Sequence, residues 1–215
     1  MSGRVMLERP WLTFDLGRQM QVLSWAINRP GFVQTNRILW REVRNADLPR
    51  DMDVHGWLDE TLNARGDSDA VCFLTSRDVE FFTQATATSG DATAHCVATV
   101  GLSNAERVGH RVDRNNFDWG TINIAVALQS GLSQTGLIEA LTIAAQARTA
   151  AILELGLALP TGIATGTGTD CIAVASPPNA LDYAGLHTES GEAIGHAVFD
   201  ATFEGGRDWM RDMKR

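Results

Sequence analysis

Apolar and polar positions along this chain change rhythm part-way. Over the first third they alternate, and residues 11–16, 20–27 and 32–43 read as strands, with Asn28, Pro30 and Gly31 marking the second break and Ile38, Trp40 and Glu42 suggesting a half-exposed face. A short helix over 53–63 would bury Val54, Trp57, Leu58 and Leu62 on one side, and 71–74 reads as a buried strand. Residues 93–102 and the β-branched run TINIAVAL at 121–128 read as core strands. The clearest helix covers 133–155, with Leu137, Leu141, Ala144, Ala145, Ile152 and Leu155 in one stripe and Gly156 as its stop. Arg148 interrupts that stripe, so it either finds a partner near the packed side or snorkels to solvent. Beyond it come a strand-like segment at 162–165, the turn GTGTD, a strand at 171–175 closed by Ser176, Pro177 and Pro178, and a last helix over about 188–210. The last helix has Ile194, Ala197, Val198 and Ala201 as its stripe.

Stretches 93–155 and 162–210 share the order strand, glycine-marked turn, strand, loop, long helix. This predicts an α+β fold: a single domain over 1–215 with a largely β core covered by two long helices, and a layered sandwich of two β-β-α halves as one way to build it. Residues 1–92 form the strand-rich part and 93–215 the motif-bearing part.

Composition narrows the class. A chain of 215 residues buries about 70% of its unfolded surface, and with 44% hydrophobic and 20% charged residues it is neither disordered nor fibrous. A formal net charge of -8 argues against nucleic acid as partner. The opening residues lack an export signal, and the longest apolar stretch is interrupted by Glu139, Gln146, Arg148 and Glu154, so neither secretion nor a membrane partner is expected. Cys72, Cys96 and Cys171 match no zinc or disulfide spacing, which points to a cytoplasmic setting with packed thiols. A homo-oligomer is left open.

The densest chemical signal is ATGTGTD, 164–170, where small residues let hydroxyls and backbone N–H groups approach a ligand. Such a loop either holds an oxyanion beside a base, Asp170, or is a tight turn with a structural Asp. In AGLHTESGE, 184–192, His187 precedes a helix start and Glu192 lies in its first turn; these suit a proton carrier and an acid, or a cap and a dipole partner. Glu192 and His196 share a helical face and, with His187 or Asp170, form a weak metal-ligand pattern without HExxH; no metal is expected. Ser103 in GLSNA matches part of a nucleophile elbow but lacks its second glycine. Gly120 before Thr121 would permit self-cleavage to an amino-terminal Thr nucleophile. The loop NAERVGHRVDRNNFDWG, with Arg107, Arg111 and Arg114, is either a solvated connection or an anion-contacting loop.

The order TVGLSNAERVG, GTINIAVAL, the alanine-rich helix, ATGTGTD and YAGLHTESGEAIGHAV resembles the adenosylcobinamide amidohydrolase family. The likeness is strong over 97–201 and fainter through NRILWREV. It implies hydrolysis of the amide joining aminopropanol, or its phosphate, to the corrin ring, giving adenosylcobyric acid in cobalamin salvage and cobamide remodelling. It implies no cofactor, because the corrinoid is the substrate. Carried over as motif positions only are Asn104, Thr121, Asn123, Thr169, Asp170, His187 and Glu192; the residue types themselves suggest substrate binding for Asn104, Thr121, Asn123, Arg148, Thr165, Gly166, Thr167, Gly168 and Thr169, and catalysis for Asp170, His187 and Glu192. Two departures stand out: AQARTAA replaces a more charged helix pattern, although Arg148 keeps the positive charge, and Leu186 precedes the histidine.

The leading expectation is water-mediated hydrolysis, with amides of the 165–169 turn on the oxyanion, Asp170 or Glu192 as base and His187 as acid. It requires the two late turns to fold side by side. Arg107, Arg111 or Arg148 would contact a substrate phosphate. The alternatives are self-processed Thr121, or a non-catalytic corrinoid-binding protein whose apolar cleft includes tryptophans such as Trp119.

Overall fold

The computed structural model describes residues 3–44, 47–49, 51–112 and 120–213. Its strands are β1 (Arg4–Glu8), β2 (Trp11–Ser24), β3 (Gly31–Glu42), β4 (Val71–Thr75), β5 (Thr83–Ser89), β6 (Ala92–Val100), β7 (Ala105–Glu106), β8 (Ile122–Leu128), β9 (Ala158–Leu159), β10 (Gly162–Ile163), β11 (Gly166–Thr167) and β12 (Cys171–Ser176). The α-helices are α1 (Val54–Arg65), α2 (Gln134–Leu155) and α3 (Glu189–Asp212). A mixed eight-stranded sheet runs β4-β3-β2-β12-β8-β6-β5, with β1 on β2, which makes the fold α+β as expected.

The sheet folds over itself. β2 pairs with β3 along its length, and its other edge pairs first with β1 and then with β12. A register shift between Asp15 and Met20, where Gly17 takes φ 73°, bends the strand as a bulge does. Consequently the ring of Phe14 reaches His95 on β6 at 4.9 Å, and Trp40 Nε1 on β3 donates to the Asn123 carbonyl on β8 at 3.4 Å, although neither pair belongs to neighbouring strands. Between the two halves lies a core of Leu12, Phe14, Ile38, Trp40, Phe73, Val97 and the small Ala125, Ala127, Ala173 and Ala175. Alanines on the long half admit the large rings of the other.

The outer faces are closed by helices. Ile124, Val126, Ile172 and Val174 point to the opposite side, where α2 and α3 cover them. All seven residues of β8 are buried, as expected of a strand covered on both faces. Leu58 and Leu62 of α1 cover Leu39 and Cys72 on the outer side of β3 and β4. The layers are therefore helices, sheet half, sheet half, helix.

Helix limits follow local chemistry. Ser133 caps α2 by accepting from the Gly136 N–H, and Gly156 ends it at φ 68°. Thr188 caps α3 by accepting from the Gly191 N–H at 2.9 Å. By length and composition α2 would suffice to cross a membrane, but here it rests on α3 and β12 with Leu137, Ile143 and Ile152 buried.

Three local readings change. Segment 11–16 and the first part of 20–27 are one bulged strand that ends at Ser24, because a bulge continues the ladder through what looks like a break in sequence. The 162–165 segment forms only the short β10, paired with β9 outside the main sheet, so the second half adds the single strand β12. β1, whose Val5, Met6 and Leu7 run on without alternation, and β5, which has no large apolar residue, escaped the sequence pattern.

Candidate active site

β8 and β12 are parallel, so both begin at the same end of the sheet, beside the ends of β3 and β4. There the two sheet halves part around a cavity of about 1050 Å³. Its floor is Gly120, Thr121 and Asn123 from the start of β8, with Gly168, Thr169, Asp170 and Cys171 leading into β12. Its wall is supplied by the amino-terminal half: Trp25 and Ile27 after β2, Val43 and Arg44 after β3, Leu48, Pro49 and Met52 before α1, and Phe73 and Leu74 on β4.

The floor is built from hydroxyls and amides that hold one another. The Thr121 hydroxyl lies 2.8 Å from the Thr169 carbonyl and 3.1 Å from Asn123 Oδ1, and its single proton serves one of them at a time. Asn123 Nδ2 donates to the Leu74 carbonyl at 2.8 Å, tying the floor to the wall. Thr169 Oγ1 donates to the Gly120 carbonyl at 2.8 Å and accepts from Asn104 Nδ2 at 3.2 Å. Asn104 Oδ1 is buried without a hydrogen-bond partner among the described residues. Gly120 cannot carry a side chain here, because a Cβ would lie 2.8 Å from the Ser103 nitrogen.

Asp170 organises the turn before β12. Its carboxylate accepts from the Thr167 N–H at 3.1 Å, the Thr167 hydroxyl, the Ile122 N–H at 3.3 Å and the Arg148 guanidinium. The seven-residue spacing that turned Arg148 toward the packed side of α2 is thus explained by its ion pair with Asp170. Burial pushes the Asp170 carboxyl above the ordinary Asp value, against Arg148 and the Thr167 and Ile122 donors, all of which favour the anion. Gly166 sits under this pair, where a Cβ would collide with both Arg148 and the Asp170 carboxylate. Thr165 accepts from the Val108 N–H at 2.8 Å, and β11 pairs with β7, so the turn is anchored on both sides.

Thr121, Asn123, Gly168, Thr169 and Asp170 therefore line the cavity, while Asn104, Arg148, Thr165, Gly166 and Thr167 support them from behind. His187 and Glu192 are elsewhere. Ser89 donates to Glu192 at 2.7 Å and the Asp91 N–H donates to Glu189 at 3.0 Å, which sets the start of α3 on the β5–β6 turn. Ala92 at that turn and Val100, the partner of Ile122, lie eight positions apart along β6, a span of about 26 Å. The expected meeting of the two late turns is corrected: α3 runs back along the sheet, so its first turn lies at the far end. His187 is exposed there.

Cys171 lines the cavity, but burial pushes its thiol up to about 12, so it is a neutral thiol at ordinary pH. Among the described residues no group of three or more His, Cys, Asp or Glu is arranged to hold a metal ion. Arg107 and Arg111 border a second hollow of about 520 Å³ on another side of Gly168, with Glu106 and His110. Arg114 and Trp119 lie outside the described residues.

What sequence reading missed is the apolar wall. Those residues sit in separate loops and on β4 in the amino-terminal part of the chain, and nothing in their spacing signals a shared surface. The signal that was available is NRILWREV, whose last residues end in Val43 and run into Arg44.

The family model for adenosylcobinamide amidohydrolase (CbiZ) matches residues 2–214. The chain belongs to the adenosylcobinamide amidohydrolase family. It is also similar to the uncharacterized protein MJ1613 of Methanocaldococcus jannaschii, at 36% identity over 89 residues, which is 40% of this chain. The matched part spans about a third of that relative, 35% of its length. Among solved structures, the PH0078 protein from Pyrococcus horikoshii OT3 superposes with a TM-score of 0.46 at 11% identity, covering 91% of this chain and 76% of that one. Both the amino-terminal wall and the carboxy-terminal floor fall within the residues that define the family match.

Proposed function

We propose that this chain hydrolyses the amide between an aminopropanol side chain and the corrin ring of adenosylcobinamide, releasing adenosylcobyric acid, as a cytoplasmic step of corrinoid salvage. Family membership supports the reaction class. The observation that carries the reading is a cavity of about 1050 Å³, apolar along one wall and polar at its floor. Ligand sites commonly enclose about 300–1,000 Å³, so this one suits a ligand at the large end of that range.

On this reading the macrocycle rests against Ile27, Leu48, Met52 and Leu74 while its amide side arm reaches the floor. N–H groups of the 168–170 segment hold the oxygen of the tetrahedral intermediate, and the Thr121 hydroxyl holds the attacking water. Asp170 is the single carboxylate among the described residues that line the cavity. Burial has made it a stronger base than an ordinary Asp, and its donors keep it in place. It takes the proton from water as the carbon–oxygen bond forms. It then returns that proton to the nitrogen as the carbon–nitrogen bond breaks, so no second acid is required in place of His187.

Incubation with adenosylcobinamide followed by mass analysis tests the reaction. Formation of adenosylcobyric acid by the wild type, at least 100-fold slower in a folded Asp170→Asn variant that still binds corrinoid, is the expected result. Bound but unchanged corrinoid would instead mean a non-catalytic binding protein. Full turnover by Asp170→Asn would leave Asp170 with the turn alone to hold.

A second reading keeps the substrate and changes the nucleophile. Thr169 Oγ1 polarises the Gly120 carbonyl, the acyl group that Thr121 Oγ1 would attack in self-cleavage. That attack breaks the Gly120–Thr121 C–N bond and frees the Thr121 amine, and hydrolysis of the resulting ester restores the Thr121 hydroxyl and leaves Gly120 as a carboxylate, cutting the chain. Denaturing mass spectrometry separates the cases: two fragments support this route, and one intact chain ends it.

A further inference from the structure

Trp25 is the large apolar side chain on the cavity wall that stays open to solvent, 46% exposed, directly after β2 ends at Ser24. An exposed tryptophan alone means little. This one is held: its indole Nε1–H donates to the backbone carbonyl of Asp170 at 2.8 Å, across 145 positions of sequence. With the polar edge of the ring bonded to the floor, the surface left to the cavity is aromatic carbon. Ile27, Leu48 and Met52, which line the same cavity, are apolar, and Arg44 and Ser76 are the polar side chains of that wall. The same hydrogen bond joins this wall to the turn whose carboxylate is clamped by Arg148 and Thr167.

We propose that Trp25 is the stacking platform of the cavity, a specificity-determining residue that takes a flat conjugated face of the ligand and, through its bond to the Asp170 carbonyl, positions the reactive turn against it. The inference rests on the corrinoid reading above. A conjugated face exists in two parts of such a ligand, the macrocycle and the adenine base of the upper ligand, and the chemistry of recognition is the same for both. Two functions of one side chain follow. Ring area governs affinity, and the N–H bond governs how well the floor is placed during turnover.

The two separate by substitution. Trp25→Phe keeps an aromatic face and loses the N–H donor, whereas Trp25→Leu and Trp25→Ala lose both. Binding of adenosylcobinamide and of dicyanocobinamide, which lacks the adenosyl group, is measured by equilibrium dialysis using corrin absorbance, and turnover of adenosylcobinamide is measured separately. Trp25→Leu and Trp25→Ala are expected to bind about 10- to 100-fold more weakly. Trp25→Phe is expected to bind within about 3-fold of wild type, with kcat reduced about 3- to 10-fold by the lost hydrogen bond. Equal losses for both corrinoids identify the macrocycle as the stacked group; a loss confined to adenosylcobinamide identifies the base. Wild-type affinity in Trp25→Ala and Trp25→Leu overturns the platform, as does a wild type that binds neither corrinoid. A wild type that binds both but forms no adenosylcobyric acid ends the hydrolase reading alone, and the affinity comparison still decides the role of Trp25.

Discussion

Replacing Arg148 with Met would leave the Asp170 carboxylate buried without its cation while keeping most of the packing along α2. The Arg148 side chain is 17% exposed and that of Asp170 only 7%, so solvent screens this pair weakly. Removing one partner of a buried pair costs about 3–5 kcal/mol. The Thr167 and Ile122 donors remain and offset part of that loss, so the low end, about 3 kcal/mol, is expected at pH 8. For a chain of this size that lowers Tm by about 6–12 °C. The pH dependence has a definite sign. Without Arg148 the folded-state pKa of Asp170 rises further above its unfolded value, because desolvation is already the largest influence on it and the main opposing charge is gone. A group with a raised folded pKa loses stability as pH climbs through that pKa, so the deficit of the variant relative to wild type is largest at pH 8. It shrinks toward pH 5 as Asp170 takes a proton in the folded state. Urea melts of both proteins at pH 5 and pH 8 measure this. An equal deficit at the two values would show that lost packing, not an uncompensated carboxylate, is what the substitution exposes.

Other expectations are simpler to check. Gly166→Ala forces a Cβ into the Arg148–Asp170 pair, whereas Gly168→Ala meets nothing within 4 Å; thermal melts should show the first destabilised by about 2 kcal/mol or more and the second near wild type. His187→Ala and Glu192→Ala should leave turnover within about 2-fold of wild type, with at most about 1 kcal/mol lost when Glu192 leaves the first turn of α3; a large loss of turnover would return those residues to the chemistry. Asn123→Ala removes the link from floor to wall and leaves the Leu74 carbonyl unpaired, costing about 1–3 kcal/mol in a denaturant melt; an unchanged melting curve would mean that the link is dispensable.

Local order was written in the chain. The stripe of α2, its start near Ser133 and its stop at Gly156, the buried run of β8 and the glycine–threonine turn are all consequences of neighbouring residues, so they could be read in one pass. That Arg148 must either find a partner or snorkel to solvent was also legible, because a cation on an apolar stripe is costly to leave alone. The identity of that partner was not, since Asp170 lies 22 residues away and becomes adjacent only when α2 folds back across β12.

The same distinction divides the site. Sequence proximity made His187 look like a neighbour of the turn before β12, but a strand followed by an antiparallel helix separates their ends by the length of the strand. The apolar wall is the converse case: Trp25, Met52 and Leu74 carry no shared pattern, and only the bulge in β2, by folding the sheet over, brings them to the floor formed by β8 and β12. Periodicity and capping depend on contacts within a few residues and are decided by sequence alone. Which surfaces meet depends on how far each strand runs before it bends, and tertiary packing decided that.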